Sequence, residues 1–467
     1  MKFNFDFLEK YNDTTALIIS DGTEITYKNL IKIADNFGKK IPSRQVVLLI
    51  CENSICSIAS YLGFIRSGVV PLLVDNKLSK ESINYLCENF GISYICTPTI
   101  YISDFFDQYS EFYTSNNYSL AKIKYKKSSQ KIHNDLALLI PTSGSTGNSK
   151  LVRLSYKNLY ENTKSISSSL SIESTDRVIT TMPMNYSYGL SIINTHLFNG
   201  SSIMLTNRSL MEKEFWLFFN KFKPTTLGGV PYIYSMLKRL RFNEMKLDSL
   251  KYITQAGGKL ELPLLDYFKD ACKKNKTKFY IMYGQTEATA RMSILSNNDL
   301  YNKKGSIGKP IPGGRFVIKN KNDEELKGDA KGELFYYGDN VSMGYAESSL
   351  DFKLGDLNKG FLRTGDIARR DRDGYYYILG RKNRFIKIFG VRVGLDELES
   401  YINDKGYVCA CSGKDDNLVI YITDYSHIDK IHALISKNRL VHSSGYSIKL
   451  IDSIPRSQSG KVMYSEL

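Results

Sequence analysis

The feature that most limits what this chain can fold into is an alternation. Short aliphatic and β-branched runs, VVLLIC (46–51), VVPLLVD (69–75) and SYICT (93–97), are separated by stretches with helical spacing, SICSIASYLGFIRSG (54–68) and KESINYLCENFG (80–91). Continuous apolar runs between helices are the mark of strands covered on both faces, so the pattern predicts an α/β fold with a parallel sheet. LALLI (136–140), RVITTM (177–182), SSIMLT (201–206) and KFYIMYG (278–284) continue the rhythm. From about residue 305 glycine becomes frequent, and the alternating runs RFVIKN, GELFYYG and GYYYILG predict the hairpins of a smaller β-rich unit over about 305–382. Residues 383–467 then read as a small α+β domain behind a large one spanning 1–382. The polar, Tyr- and Lys-rich segment 101–135 fits neither pattern.

Length and composition exclude several classes. A chain of 467 residues with 42% hydrophobic and 24% charged residues is too long for one small core and too apolar for disorder. No apolar run approaches the ~18 residues of a membrane span. The start, MKFNFDFLEK, carries Asp6 and Glu9 and lacks the apolar core of a secretory signal. Seven cysteines without a C-x-x-C pair, and five scattered histidines, read as reduced thiols in a cytoplasmic protein with no metal motif of their own. The net charge of +15 suits anionic partners. From Arg384 on there are eleven basic and ten acidic residues, so the excess lies in the large domain. The basic runs KIKYKK (122–127) and KKNKTK (273–278) raise nucleic-acid binding, but no nucleic-acid motif accompanies them, and they read as solvated faces.

The segment PTSGSTGNSK (141–150) follows a strand and precedes what reads as a helix. In that setting glycines let backbone N–H groups turn toward an anion, a helix N-terminus adds its dipole, and Ser143, Ser145, Thr146 and Lys150 supply donors and charge. It is not the common P-loop, because Lys150 follows Ser149 and precedes Leu151. Taken alone, it is also compatible with a plain surface turn.

In order along the chain, ITYKNL (25–30), GFIRSGVVPLLVD (63–75), PTSGSTGNSKLV (141–152), YGQTEAT (283–289), GELFYYGDNVSMGY (332–345), FLRTGD (361–366), GRKNRFIKIFGVRVGLDELE (380–399) and PRSQSGKVMYSEL (455–467) resemble the motifs of the adenylate-forming superfamily of acyl-CoA synthetases, adenylation domains and luciferases. The resemblance covers essentially the whole chain. It implies a large N-terminal adenylate-forming domain and a small mobile C-terminal one. The implied activity is ATP-dependent activation of a carboxylic acid to an acyl-adenylate, followed by acyl transfer to a thiol. Thr142, Ser143, Gly144, Ser145, Thr146, Gly147 and Lys150 would cradle the β- and γ-phosphates. Thr286 and Glu287 would meet the α-phosphate and Mg²⁺, with Glu287 the metal ligand. Tyr283, Gly284 and Gln285 would border the adenine, flanked by Gly257, Gly258 and Lys259. Asp366 and Arg381 would hold the ribose, since a carboxylate accepts two O–H bonds from a vicinal diol. Lys461 would be the catalytic lysine that bridges the acid and the α-phosphate, Asn383 the hinge, and Tyr186, Tyr188 and Gly189 part of the acyl pocket. Lys387 reads as a solvated lysine or a contact of the second pose.

Departures from the family pattern are specific. Asn383 replaces the usual Asp or Lys of the hinge, Tyr186 replaces the His that many acyl-CoA synthetases carry in PMNYSYGL, and Tyr464 replaces a late Arg. Adenylation domains for α-amino acids use an Asp in the fourth motif, and this chain has no Asp between Arg177 and Leu247. A buried ammonium without a counter-ion is costly, so an acid lacking an α-ammonium is favoured. The acceptor is coenzyme A or the phosphopantetheine of a carrier protein, and the charge favours an acidic carrier. A stand-alone amino-acid adenylating enzyme and a non-enzymatic binding protein on the same fold are the alternatives. Neither nucleic acid nor membrane is an expected partner.

Overall fold

A computed structural model of the protein describes residues 5–123, 131–142, 150–437, 441–456 and 460–467, with Arg392 described by its backbone alone. The expected phosphate-loop residues Ser143, Gly144, Ser145, Thr146 and Gly147 lie outside the described residues. Two large sheets form the N-terminal part. An eight-stranded sheet is centred on Val46–Cys51, which is buried at every position and pairs in parallel with Val70–Asp75 and Tyr94–Pro98. The segment that matched neither pattern supplies a hairpin, Tyr109–Ser115 and Tyr118–Ile123, that extends this sheet antiparallel to Tyr94–Pro98. The helix Ile55–Ser67 is buried along Cys56–Ile65, as its apolar circumference requires.

The second sheet has nine strands, and its parallel centre runs Ser202–Leu205, Arg177–Ile179, Thr226–Gly229, Tyr252–Gln255 and Lys278–Gln285 in space. The carboxyl ends of the last three carry Gly229, Gln255 and Gln285, the edge where open parallel sheets bind ligands. Beyond it, Arg315–Lys319, Ala330–Tyr337, Phe361–Arg370 and Tyr376–Arg381 form the expected small antiparallel sheet around Phe316, Leu334, Tyr336 and Leu362. From Phe385 on, the chain has its own core. The hairpin Phe385–Ile388 and Val391–Gly394, the helices Leu395–Asn403 and Ile428–Lys437, and a three-stranded sheet enclose Ile386, Leu398, Ile402, Ile420 and Ile431.

One expectation is corrected. The Ser/Gly-rich segment leads not into a helix but into a strand, Leu151–Ser155, antiparallel to Leu136–Pro141, with Thr142 N–H donating to the Lys150 carbonyl at 3.1 Å. Leu151, Val152, Arg153 and Leu154 are all buried, and their backbone is taken up by the ladder. The helix begins only at Tyr156, where Ser155 and Asn158 form a reciprocal cap. The dipole of this helix therefore begins one strand later than the sequence pattern suggested. All seven cysteines are buried and unpaired, and among the described residues no helix is long and apolar enough to cross a membrane.

Candidate active site

The strand Phe361–Arg370 places Leu362, Thr364, Asp366 and Ala368 on one buried side. A carboxylate in that row must be satisfied by hydrogen bonds. Asp366 is opposite Arg381 in the ladder, and its Oδ1 is 3.0 Å from Arg381 Nε. Its Oδ2 accepts from Tyr283 Oη and from Gln285 Nε2, the latter at 3.0 Å. Gln285 also donates to the Thr364 carbonyl at 2.9 Å, as does Arg381 at 3.1 Å. Burial pushes the Asp366 carboxyl up and Arg381 opposes that shift. The structure thus brings Tyr283, Gln285, Asp366 and Arg381 into one cluster, although sequence separates them by almost a hundred residues. Arg381 is the exposed member, and Asp366 retains lone pairs for further O–H donors.

Past Gln285 the chain makes a single turn, Thr286–Ala288. Thr286 Oγ1 lies 3.1 Å from Ser187 Oγ. The Glu287 carbonyl accepts from Ser342 N–H at 2.8 Å, and its Oε1 accepts from Tyr345 Oη at 2.8 Å. Lys150 reaches the same place from the other sheet, with Nζ 2.6 Å from Glu347 and 6.0 Å from the Tyr345 ring centroid. Among the described residues no cationic side chain forms an ion pair with Glu287. Its carboxylate fits magnesium, which takes one or two carboxylates beside phosphate oxygens and waters.

The residues expected to line the acyl pocket, Tyr186 and Tyr188, stand beside the turn Gly257–Gly258. Gly257 has φ +84°, and a Cβ there would stand 2.5 Å from Tyr186 Oη, so only glycine fits under that ring. Gly258 faces Pro231, and Gly189 and Gly284 lie against the carbonyls of Pro183 and Ala290 too closely for a side chain. Tyr188 is buried, with Oη 2.8 Å from Thr254 Oγ1.

Lys461 arrives from the C-terminal domain. Gly460 (φ +77°) seats against Tyr232 Cβ at 3.2 Å and Val230 Cγ2 at 3.5 Å, had it a Cβ. The ammonium of Lys461 senses Arg381, Glu287 and Asp366 together: burial and Arg381 lower its pKa, while Glu287 and Asp366 raise it. By surface area Lys461 is nonetheless an exposed residue. Tyr464, the substituted late Arg, stacks on Arg384 at 3.4 Å from guanidinium to ring and donates to Glu399 at 2.8 Å, which ties the tail to its own domain.

One expected residue stands elsewhere. Lys259 is not turned into the cleft; its ammonium contacts Ser400 and Asp404 of the C-terminal domain, drawn there by the Asp404 carboxylate 3.4 Å away. Asn383 is the exposed third residue of the turn closed by Arg384 N–H on the Arg381 carbonyl at 3.2 Å, and its φ is not positive. The tolerance of Asn for left-handed backbone is therefore unused in this pose. Lys387 is exposed on its hairpin, as expected. Sequence reading missed Tyr345, Glu347, Arg384 and the buried Arg291. Tyr345 ends the quoted GELFYYGDNVSMGY, so its position was visible and its partner was not.

A family model described as AMP-binding enzyme matches residues 5–346. The 2-succinylbenzoate–CoA ligase of Bacillus cytotoxicus is 24% identical over 459 residues, covering 94% of this chain and 92% of that protein. Among solved structures, O-succinylbenzoate coenzyme A synthetase from Bacillus subtilis in complex with AMP superposes with a TM-score of 0.83 at 19% identity, over 100% of this chain and 98% of that one. The same synthetase in complex with ATP and magnesium ion gives 0.79 at 20% identity, over 100% and 99%. With the family model spanning most of its length, the chain belongs to the AMP-binding enzyme family.

Proposed function

We propose that this AMP-forming acid–thiol ligase activates a carboxylic acid lacking an α-ammonium group and passes the acyl group to coenzyme A. The observation that carries the reading is the gathering of Asp366, Arg381, Tyr283 and Gln285 into one hydrogen-bonded cluster directly beside the Thr286–Ala288 turn. ATP and magnesium are its cofactors. Asp366 and Arg381 grip the ribose, and Tyr283 and Gln285 fix the Asp366 carboxylate and border the base. Magnesium held at Glu287 supplies neutralising charge for the triphosphate. Lys461 sits where an ammonium can draw the acid carboxylate and the α-phosphate together. Such transfers depend mainly on positioning and electrostatics. Once the adenylate has formed, Lys461 must leave to admit a thiol, and the turn at 381–384 is where the second domain can swing.

Names of the relatives support coenzyme A as acceptor. A carrier protein is the second reading, favoured by the net charge of +15 lying almost wholly before Arg384. ATP–pyrophosphate exchange against a panel of aryl, fatty, dicarboxylic and amino acids tests the first half-reaction. Comparing kcat/KM for coenzyme A and for an acidic carrier protein with the responding acid tests the second. Exchange with amino acids alone would overturn the reading.

A further inference from the structure

Arg153 and Arg291 are both fully buried, and the contrast between them is informative. Arg153 is a structural arginine. Its Nε donates to the Tyr345 carbonyl, Nη1 to Leu354 and Nη2 to Met343, at 2.6–3.1 Å. Arg291 is 2% exposed, yet its Nε and Nη2 have no hydrogen-bond partner, and Nη1 reaches only Met282 Sδ at 3.7 Å. Among the described residues no carboxylate pairs with it. Burial lowers its pKa only to about 10, so the guanidinium is charged at neutral pH.

Its surroundings adjoin the proposed acyl pocket through Tyr188. Arg291 is opposite Gly284 in the ladder, on the strand that follows the Thr286–Ala288 turn. The ring of Tyr188 lies 5.5 Å from its Cζ. Tyr252, whose buried hydroxyl approaches Thr226 but completes no hydrogen bond, lies within its field. His196 is neutral, its pKa lowered by burial to about 4, and is bonded to Ile192 and Thr226. Asp176, which acts on Tyr252 and His196, is itself paired with Lys251 at 2.8 Å. The cluster therefore presents unpartnered guanidinium donors, a Tyr188 ring facing the cation, and no anionic acceptor. A buried charge without a partner is expensive, and each such group calls for an explanation.

We infer that Arg291, with Tyr252 beside it, is the specificity residue of the acyl pocket and receives a second anionic group at the far end of the substrate, so that the acid activated is a dicarboxylic acid or a close anionic analogue. The inference rests on the proposed acid activation and deepens it. A guanidinium offers a planar pair of N–H groups that matches a carboxylate. It also explains why an α-ammonium is unwelcome: the pocket already holds one uncompensated cation. A site built around such a donor rejects the analogue lacking the acceptor far more strongly than an apolar pocket rejects a missing methylene.

The test takes succinate, glutarate, phthalate and 2-succinylbenzoate, each against its monomethyl ester. Pyrophosphate exchange and calorimetric binding beside a non-hydrolysable ATP analogue are measured for the wild type, Arg291→Met and Arg291→Lys. In at least one pair the diacid should exceed its ester by two or more orders of magnitude. Arg291→Met should erase that preference and Arg291→Lys should retain part of it. The melting temperature of ligand-free Arg291→Met should equal or exceed that of the wild type, because an unpaired buried charge is gone. A purely structural arginine would give a lower melting temperature and equal losses for every acid, which would overturn the inference. Exchange with monoacids and no diacid preference would overturn it while leaving acid activation standing. Diacid-selective binding without exchange for any acid would uphold the anion site and sink acid activation instead.

Discussion

The two ends of the cleft are built on different terms. At the nucleotide end the buried carboxylate of Asp366 is gripped from three directions, by Arg381, Tyr283 and Gln285. At the acyl end the buried guanidinium of Arg291 is left with unpartnered donors. The proposed nucleotide end thus has its buried charge satisfied within the protein, as suits a ligand that never changes. The acyl end is incomplete in itself, as suits a site whose partner defines the enzyme. Two changes at the nucleotide end should act alike on every acid, and that equality is what distinguishes the halves.

The largest effect is expected from Lys461→Ala. Removing one preorganised charge from the reacting centre should lower pyrophosphate exchange by about 10²–10³-fold, or ~3–4 kcal/mol, by the same factor for each acid. Thioester formation from a supplied acyl-adenylate should change little. Exchange near the wild-type rate would show that Lys461 is not the bridging cation. Asp366→Asn comes next. It keeps the shape, removes the ion pair with Arg381 and leaves one acceptor oxygen. A charged hydrogen bond is worth about 1.5–3 kcal/mol, so KM for ATP should rise some tenfold to a hundredfold, again irrespective of the acid. A rise confined to one acid would break the division between the two halves.

Sequence carried the nucleotide end well because each of its parts sits in a short contiguous motif. YGQTE and TGD name their residues before any contact is known, and only the meeting of Gln285 with Asp366 needed three dimensions. The strand rhythm was legible for the same reason, since periodicity is local. Failures came where a local signal was shared by two outcomes. LVRLS after the Ser/Gly-rich segment is apolar enough to begin a buried helix or to be a buried strand, and pairing with Leu136–Pro141 decides it. Lys259 lies in a glycine turn by sequence, but its partner, Asp404, is 145 residues away. Arg291 follows a recognised motif closely, yet an arginine in a sequence reads as surface. Nothing short of its neighbours reveals that it is buried without a counter-ion.

The boundary between domains offers a smaller, sharper test. Asn383 occupies the third position of the turn 381–384 without positive φ, where proline is disfavoured because it pushes the preceding residue out of the helical region. Asn383→Pro should therefore oppose the pose in which Lys461 reaches the cleft. Exchange should fall about tenfold, while transfer from a supplied acyl-adenylate falls less. Equal loss in both half-reactions would mean that residue 383 is not where the two poses diverge.

The smallest expected effect concerns pH. Glu261, at the start of the helix Leu262–Lys274, is crowded by burial and by Asp404 and Glu399 of the C-terminal domain, against the pull of Lys259, and its pKa is raised to about 8. The docked pose therefore binds a proton that a released, solvated Glu261 would give up near the ordinary 4.5. Below that value both poses are protonated and docking has its full strength. As pH climbs toward 8 the released pose is favoured progressively, because it alone ionises without penalty, and above 8 the dependence levels off. Between pH 6 and 8 the ratio of adenylation to thioester formation should fall in the wild type. In Glu261→Gln the proton is replaced by a permanently neutral amide, so this part of the slope should vanish, with the ratio held near its low-pH value. Lys259 and Asp404 lie in the same contact, so Asp404→Asn should shift the wild-type midpoint downward rather than abolish it. A slope unchanged in Glu261→Gln would assign the pH dependence to the cleft itself, where Lys461 and Asp366 also titrate away from their usual values.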